Sequence, residues 1–336
     1  MLNILKEPVM MHRGGGGGGG GTTPPSGGRT FSYLTAPTSL GTSMNGSATM
    51  ANGSTITTWY FNNGGGFNGD RTVPSPVIEA NEGANVQVTL NVSMMSIPHT
   101  IHWHGLDVDQ QNDGVGTTSF EVNGGQSYTY RFVAPHAGTY HYHCHVDTVL
   151  HYEMGMYGTV IIRPPNGSTT VAWAGGPSFN KEYVWQFHTF DSTWHTGGGG
   201  MGGMGGMGGG ATSGPNTVRH RPDYFMINGR DGNNLNNDAT VAISAAAGQK
   251  VLVRGVHSGY QPCVVKMGGL SFQVIASDGR PLPSAINTTE LLIAPGERYD
   301  ILLTMPSSGQ RTATVDYYDI RRGGILGTAS TTITVV

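Results

Sequence analysis

Two short runs hold most of the chemistry available to this chain. The first is Pro98-His99-Thr100-Ile101-His102-Trp103-His104-Gly105, and the second is His141-Tyr142-His143-Cys144-His145, followed by His151, Gly155 and Met156. Imidazole, thiolate and thioether are ligands for transition metals, and the two sulfur donors favour copper over harder ions. A segment this dense in such groups is read as a metal-binding one.

Alternation along a strand sorts the ligands. Neighbouring side chains point to opposite faces and residues two apart share one. His102 and His104 then share a face and His99 takes the other, while His143 and His145 share a face and Cys144 takes the other. With both segments as strands, His99 meets Cys144 on one side, and His102, His104, His143 and His145 gather on the opposite side. His151 and Met156, expected in a short loop beyond the second strand, complete a His2Cys set with an axial thioether, the signature of blue copper. The second set has imidazoles alone, which suit copper, zinc, iron or nickel. Its position beside a copper thiolate favours copper. His141 adds a third histidine on the same face, beside this second set.

These motifs resemble those of multicopper oxidases of the laccase-like, two-domain kind, and more distantly those of copper nitrite reductases. The matching pieces are His102-Trp103-His104-Gly105, Gly138-Thr139-Tyr140 ahead of His143-Cys144-His145, and the ending His151 to Gly155-Met156. Pro74 to Ile78 with Glu82-Gly83 is similar to the opening of such domains. Phe272 to Gly279 and Ile293 to Asp300 resemble the copper-free second domain of laccases. The resemblance runs from about residue 55 onward. It implies two cupredoxin-like domains and copper as cofactor, with His99, Cys144, His151 and Met156 on type 1 copper. His102 would approach type 2 copper, and His104, His143 and His145 would hold type 3 coppers. The implied activity takes electrons from a phenolic or Cu(I) donor and reduces O2 to water. Cys144 is bonded directly to His143 and His145, which offers a through-bond route between the two sites. Axial Met156 implies a modest reduction potential.

The chain departs from that pattern in three places, one being His141, where the family commonly has an aromatic residue. The spacing from His145 to His151 is longer than the usual laccase-like form. The second half contributes only His220 and His257 as further candidates, neither in a His-x-His pair, so completion of the cluster is expected from a homo-oligomer. Two first domains facing across a two-fold would supply matching ligands isologously; the rival is a ring-like trimer in which a first domain faces a neighbour's second domain. A nitrite reductase-like enzyme and a type 1 copper electron carrier or copper-binding scaffold are the alternative functions. Asp107, Asp109 and Asp113 follow His-Trp-His-Gly, and an acid there could relay the protons that oxygen reduction consumes.

The elements that must position these groups read as strands. Residues 85–92, 126–133, 159–163, 250–256 and 299–305 are rich in β-branched and aromatic residues and are punctuated by Gly, Pro and Asn. No long helical periodicity competes. The expected class is all-β, with two cupredoxin-like Greek-key β-sandwich domains at 55–165 and 166–336 and a Gly/Ser-rich arm over 1–54. The arm contains the polyglycine run Gly14 to Gly21. The stretch 197–210 threads Met201, Met204 and Met207 through glycine; thioethers bind Cu(I), so it is read as a Cu(I) site near type 1 copper, with His188 and His195 as helpers.

With 336 residues, 12% of them charged, and a net charge of -3, the chain suits two domains and has no electrostatic footprint for nucleic acid. It has two cysteines. With Cys144 on metal, Cys263 is read as a small buried residue and no disulfide is expected. The first residues, Met1 to Pro8, carry no apolar run suited to a membrane span. A copper protein of this type is expected in the periplasm or outside the cell, where thiol buffers do not compete for the metal.

Overall fold

The computed structural model of the chain describes residues 33–63, 73–195 and 220–336. The polyglycine run and Met201, Met204 and Met207 lie outside these residues.

The first half is built from β1 (Tyr33–Thr35), β2 (Thr38–Thr49), β3 (Thr55–Asn62), β4 (Val77–Asn81), β5 (Asn85–Asn91), β6 (His102–His104), β7 (Ser127–Val133), β8 (Gly138–His143) and β9 (Tyr157–Arg163), with one helical turn, α1 (Thr148–Glu153), before β9. They form two sheets, ordered β1-β4-β9-β8-β6 and β3-β2-β5-β7. The second half comprises β10 (Lys181–Phe190), β11 (Tyr224–Ile227), β12 (Arg230–Asp231), β13 (Ile243–Ala245), β14 (Lys250–His257), β15 (Cys263–Lys266), β16 (Phe272–Ser277), β17 (Arg280–Thr288), β18 (Glu290–Ile293), β19 (Arg298–Thr304), β20 (Gln310–Tyr318) and β21 (Ile325–Val335). Its sheets run β12-β11-β10-β14-β19-β16-β17 and β13-β21-β20-β15-β18. Parallel neighbours far apart in sequence, such as β4 with β9 and β10 with β14, are the crossovers of two-sheet sandwiches.

The all-β expectation is met, and the burial pattern explains each sheet's role. In β5, Val86, Val88 and Leu90 are buried while Asn85, Gln87 and Asn91 are exposed, the alternation of a strand with one face in water. Every residue of β8 and β9 is buried. One face of their sheet packs on its own sandwich core and the other on the second sandwich. Val77 and Ile161 meet Val184 there. Arg163, which pairs with Glu79 within its own sheet, reaches across the same boundary to Glu182, 2.7 Å away. Arg254 pairs with Glu182 at 2.6 Å and Asp300 at 3.2 Å, and donates to Thr139 at 2.9 Å.

The arm assigned to residues 1–54 needs correction in its last part. Within it, β1 pairs with β4, and β2 lies between β3 and β5 in the first sandwich. Its Gly, Ser and Thr content obscured this strand, whose buried positions are few and include Leu40, Ala48 and a Thr.

Candidate metal centres

β6 and β8 are antiparallel neighbours in the register His102 to His143, Trp103 to Tyr142 and His104 to His141. Trp103 and Tyr142 point into the sandwich core, both fully buried, with ring centroids 6.1 Å apart. That anchoring turns the flanking histidines to the opposite face. Gly105 closes β6 with φ +86°, and a side chain there would run into the Arg298 guanidinium, so the Gly of His-Trp-His-Gly is required by conformation and by space.

Two groups of ligand atoms lie within 4.8 Å of one another among the described residues: His99, Cys144 and His151, and His102, His104 and His143. In the first, Cys144 Sγ is 3.6 Å from Nδ1 of His99 and 3.1 Å from Nδ1 of His151. All three residues are fully buried. His151 sits on α1 rather than in a loop, and α1 is held against the sandwich where Trp59 N–H donates to Met154 O at 2.8 Å. Met156 is fully buried and is tied to both residues through its backbone: its carbonyl accepts from Cys144 N–H at 3.0 Å and its N–H donates to His151 O at 3.0 Å. Gly155, between them, has φ +112°.

The second group faces away from the thiol. His102 and His143 have ring centroids 5.1 Å apart, and His145 adds its ring 5.2 Å from His102. Nδ1 of His102 contacts Asp113 O at 2.8 Å, and Nδ1 of His143 contacts Cys144 O at 2.9 Å. A carbonyl accepts only, so these Nδ1 atoms carry the proton and the Nε2 lone pairs remain for a metal. His141 contacts Gly158 O through Nδ1 at 2.9 Å and the Tyr152 hydroxyl through Nε2 at 2.8 Å. With both nitrogens engaged, it packs against His104 and His143 as a support.

Electrostatics suit cation binding. Burial holds His99 at about 3, His151 at about 4 and His104 at about 4, and it depresses His102 and His143 as well. The imidazoles are therefore neutral at ordinary pH, the form that binds metal. Burial also pushes the Cys144 thiol up to about 11. A thiolate at this position needs a cation beside it. Buried nitrogen and sulfur converge, with Nδ1 of His99 and of His151 both turned to the Cys144 sulfur, so the donor set fits copper in the first group and a borderline metal such as copper in the second.

Of the three aspartates read as proton relays, only Asp113 reaches an imidazole, its Oδ1 3.3 Å from His102 Nδ1. Asp107 is exposed and pairs with Arg280 at 2.7 Å, and Asp109 caps the turn at Asn112. Cys263 is buried in the second core and free. His257 accepts from Gly259 N–H at 3.0 Å, away from both groups. His188, His195 and His220 are buried in the second half. Sequence reading missed Arg298, whose chain neighbour Gly296 lies against His104, and Glu153, a fully buried acid. Arg298 lies within the segment Ile293 to Asp300 that resembles the second domain of laccases, but nothing in that segment pointed to the histidine cluster; Glu153 carries no motif, and burial alone marks it.

Two family models described as "Multicopper oxidase" match residues 45–167 and 207–333. The multicopper oxidase MmcO of Mycobacterium tuberculosis is 27% identical over 69% of this chain and 46% of its own length. Laccase-1 of Botryotinia fuckeliana is 29% identical over 76% of this chain and 41% of its own length. The chain thus spans less than half the length of these curated relatives. The blue copper oxidase of Nitrosomonas europaea superposes with a TM-score of 0.66 at 27% identity, over 89% of this chain and 85% of that one.

Proposed function

The chain belongs to the multicopper oxidase family, and on that premise we propose that it is a laccase-like oxidase. It would take single electrons at the His99–Cys144–His151–Met156 site and reduce O2 to water at the imidazole cluster. The observation that carries this reading is one residue, Cys144, whose sulfur faces His99 and His151 while its peptide neighbours His143 and His145 belong to the opposite cluster. Copper, when bound, supplies one-electron chemistry at the first site and dioxygen reduction at the second. The protein supplies the rest. Burial favours the neutral form of His99, His102, His104, His143 and His151, the peptide bonds of Cys144 give a covalent path between the sites, and Asp113 stands at the water-facing edge of His102 to pass protons.

The donor is proposed to be a phenolic compound or Cu(I). Met94 and Met95, both about four-fifths exposed, adjoin Ser96, whose hydroxyl contacts His99 Nε2 at 2.9 Å. Exposed thioethers near the outer edge of that imidazole favour a soft cation as donor.

The cluster is proposed to be completed by a second copy. His102, His104 and His145 are half-buried on the cluster's open side. In the second half His188, His195, His220 and His257 are all buried. A ring in which a neighbour's second domain donates imidazoles therefore finds none displayed among the described residues. Two first domains facing across a two-fold match the displayed groups. A periplasmic or extracellular location fits this copper chemistry, and no described helix is long and apolar enough to cross a membrane.

Copper counting on the purified assembly tests the reading, with spin resonance for type 1 and type 2 centres and oxygen uptake in parallel. All three copper types with O2 consumption in an even-numbered oligomer are expected. A lone blue centre that consumes no O2 would overturn the oxidase in favour of an electron carrier, and turnover of nitrite with a type 1 and type 2 pair would favour a reductase.

A further inference from the structure

The two imidazoles of the proposed type 1 site differ in their way to the surface. Both rings turn Nδ1 to the Cys144 sulfur, at 3.6 Å for His99 and 3.1 Å for His151, and neither residue is itself exposed. On His151 the outer nitrogen, Nε2, is buried and has no hydrogen-bond partner. The Trp59 ring stands edge-on to that imidazole, with centroids 5.1 Å apart. α1, which carries His151, is also tied to the second half of the chain, where the Tyr260 hydroxyl donates to Val149 O at 2.6 Å.

His99 ends differently, with its Nε2 2.9 Å from Ser96 Oγ. Because Nδ1 is turned to the sulfur and left for a metal, Nε2 carries the proton and donates it to the hydroxyl. Ser96 is half-buried; its own O–H points to Met44 Sδ at 3.4 Å, and its N–H closes a turn onto Ser93 O at 2.9 Å. The next residues outward, Met95 and Met94, are 80% and 82% exposed. Gly124 lies against this turn, and a Cβ there would be 2.5 Å from Ser96 O and 2.9 Å from Met94 O. The turn is therefore seated by close backbone packing, with one end at the buried ring and the other in water.

Electron tunnelling falls off steeply with distance and passes more readily through covalent and hydrogen bonds than across gaps. We propose that electrons enter the type 1 site through Ser96 and the His99 ring, at the surface of the 93–96 turn, and not through His151. Ser96 is then a positioning residue. Its hydroxyl fixes the His99 ring by accepting from Nε2 and joins that ring to the place where a donor touches the protein. The step makes and breaks no bond of the protein. The donor loses one electron, copper held at the site gains it, and a phenolic donor releases its proton to water. The inference rests on the type 1 copper reading given above and deepens it by locating the donor.

The copper-loaded full-length protein is to be reduced without oxygen at low ionic strength, following the loss of blue absorption by stopped flow. Ascorbate serves as an anionic donor and hexaammineruthenium(II) as a cationic one. Met95→Glu places a negative charge on the exposed turn, and Val149→Glu places the same charge on α1, the His151 side, where Val149 is 40% exposed. Met95→Glu should slow ascorbate several-fold and speed the ruthenium complex, whereas Val149→Glu should change neither rate. Ser96→Ala should slow both donors several-fold and Ser96→Thr should restore them, with copper content unchanged. Loss of the hydroxyl acceptor leaves His99 a poorer electron donor to copper, which raises the potential and by itself favours reduction, so a slower Ser96→Ala reports the lost path. Should Ser96→Ala fail to fold, the two glutamate variants decide alone. An unchanged rate in folded Ser96→Ala, no charge effect at Met95, or one of equal or greater size at Val149 overturns the proposal and leaves the type 1 reading intact. A copper-loaded protein without blue absorption overturns both.

Discussion

Cys144 lies between two histidines in sequence and between two ligand groups in space, and the reason is the alternation of a single strand end. Its sulfur faces His99 and His151 at 3.6 and 3.1 Å, while the adjoining rings of His143 and His145 stack on the other side with centroids 5.8 Å apart. At the edge of that second group Asp113 contacts His102 through its main-chain carbonyl and its carboxylate. Asp113→Asn leaves the carbonyl contact in place and removes only the acid. Oxygen uptake should then fall by on the order of 10²-fold, the low end for a positioned proton donor, with the copper content intact. An unaltered rate would remove Asp113 from the proton path.

At the scale of elements, the proposed type 1 copper site depends on a strand end, a bridge and one turn of helix. His99 is held by its bridge to Val122, Cys144 by its bond to Met156 O, and His151 by α1. Gly155 lets the chain leave α1 and enter β9. It has φ +112°, and a Cβ there would meet Val73 Cγ2 at 2.6 Å and Trp59 O at 2.9 Å. The backbone oxygen has little freedom, because Trp59 N–H is bonded to Met154 O. Gly155→Ala is expected to cost about 1–3 kcal/mol of stability and to weaken retention of the blue copper before the cluster is affected. Thermal unfolding and absorption spectra measure both, and a variant with the original melting temperature would contradict the account.

For the whole molecule, the joint between the sandwiches is as consequential as either core. Arg254 is fully buried and lies between Glu182 and Asp300 while donating to Thr139 of the first half. Burial raises the Asp300 carboxyl, and the Arg254 charge opposes that rise. Arg254→Met leaves the buried Asp300 without its cation and the half-buried Glu182 with Arg163 alone, which should cost about 3–5 kcal/mol. The urea midpoint should fall accordingly; a midpoint equal to that of the unsubstituted protein would show that Arg163 and Thr139 carry the load alone.

What the amino-acid sequence determined unaided was local. Strand periodicity made the fold all-β and assigned residues 85–92, 126–133 and 250–256 to strands, each within a residue or so of β5, β7 and β14. The same two-residue period sorted His99 and Cys144 from His102, His104 and His143, because a strand's side chains alternate whatever surrounds them. Tertiary structure alone decided the rest. It drew β1 and β2 out of a Gly/Ser-rich arm, since their pairing depends on β4, β3 and β5 rather than on their own composition. It separated Asp113 from Asp107 and Asp109, and it buried Glu153 among histidines from the other half of the chain. Those outcomes depend on where distant segments pack, and no local period in the chain encodes that distance.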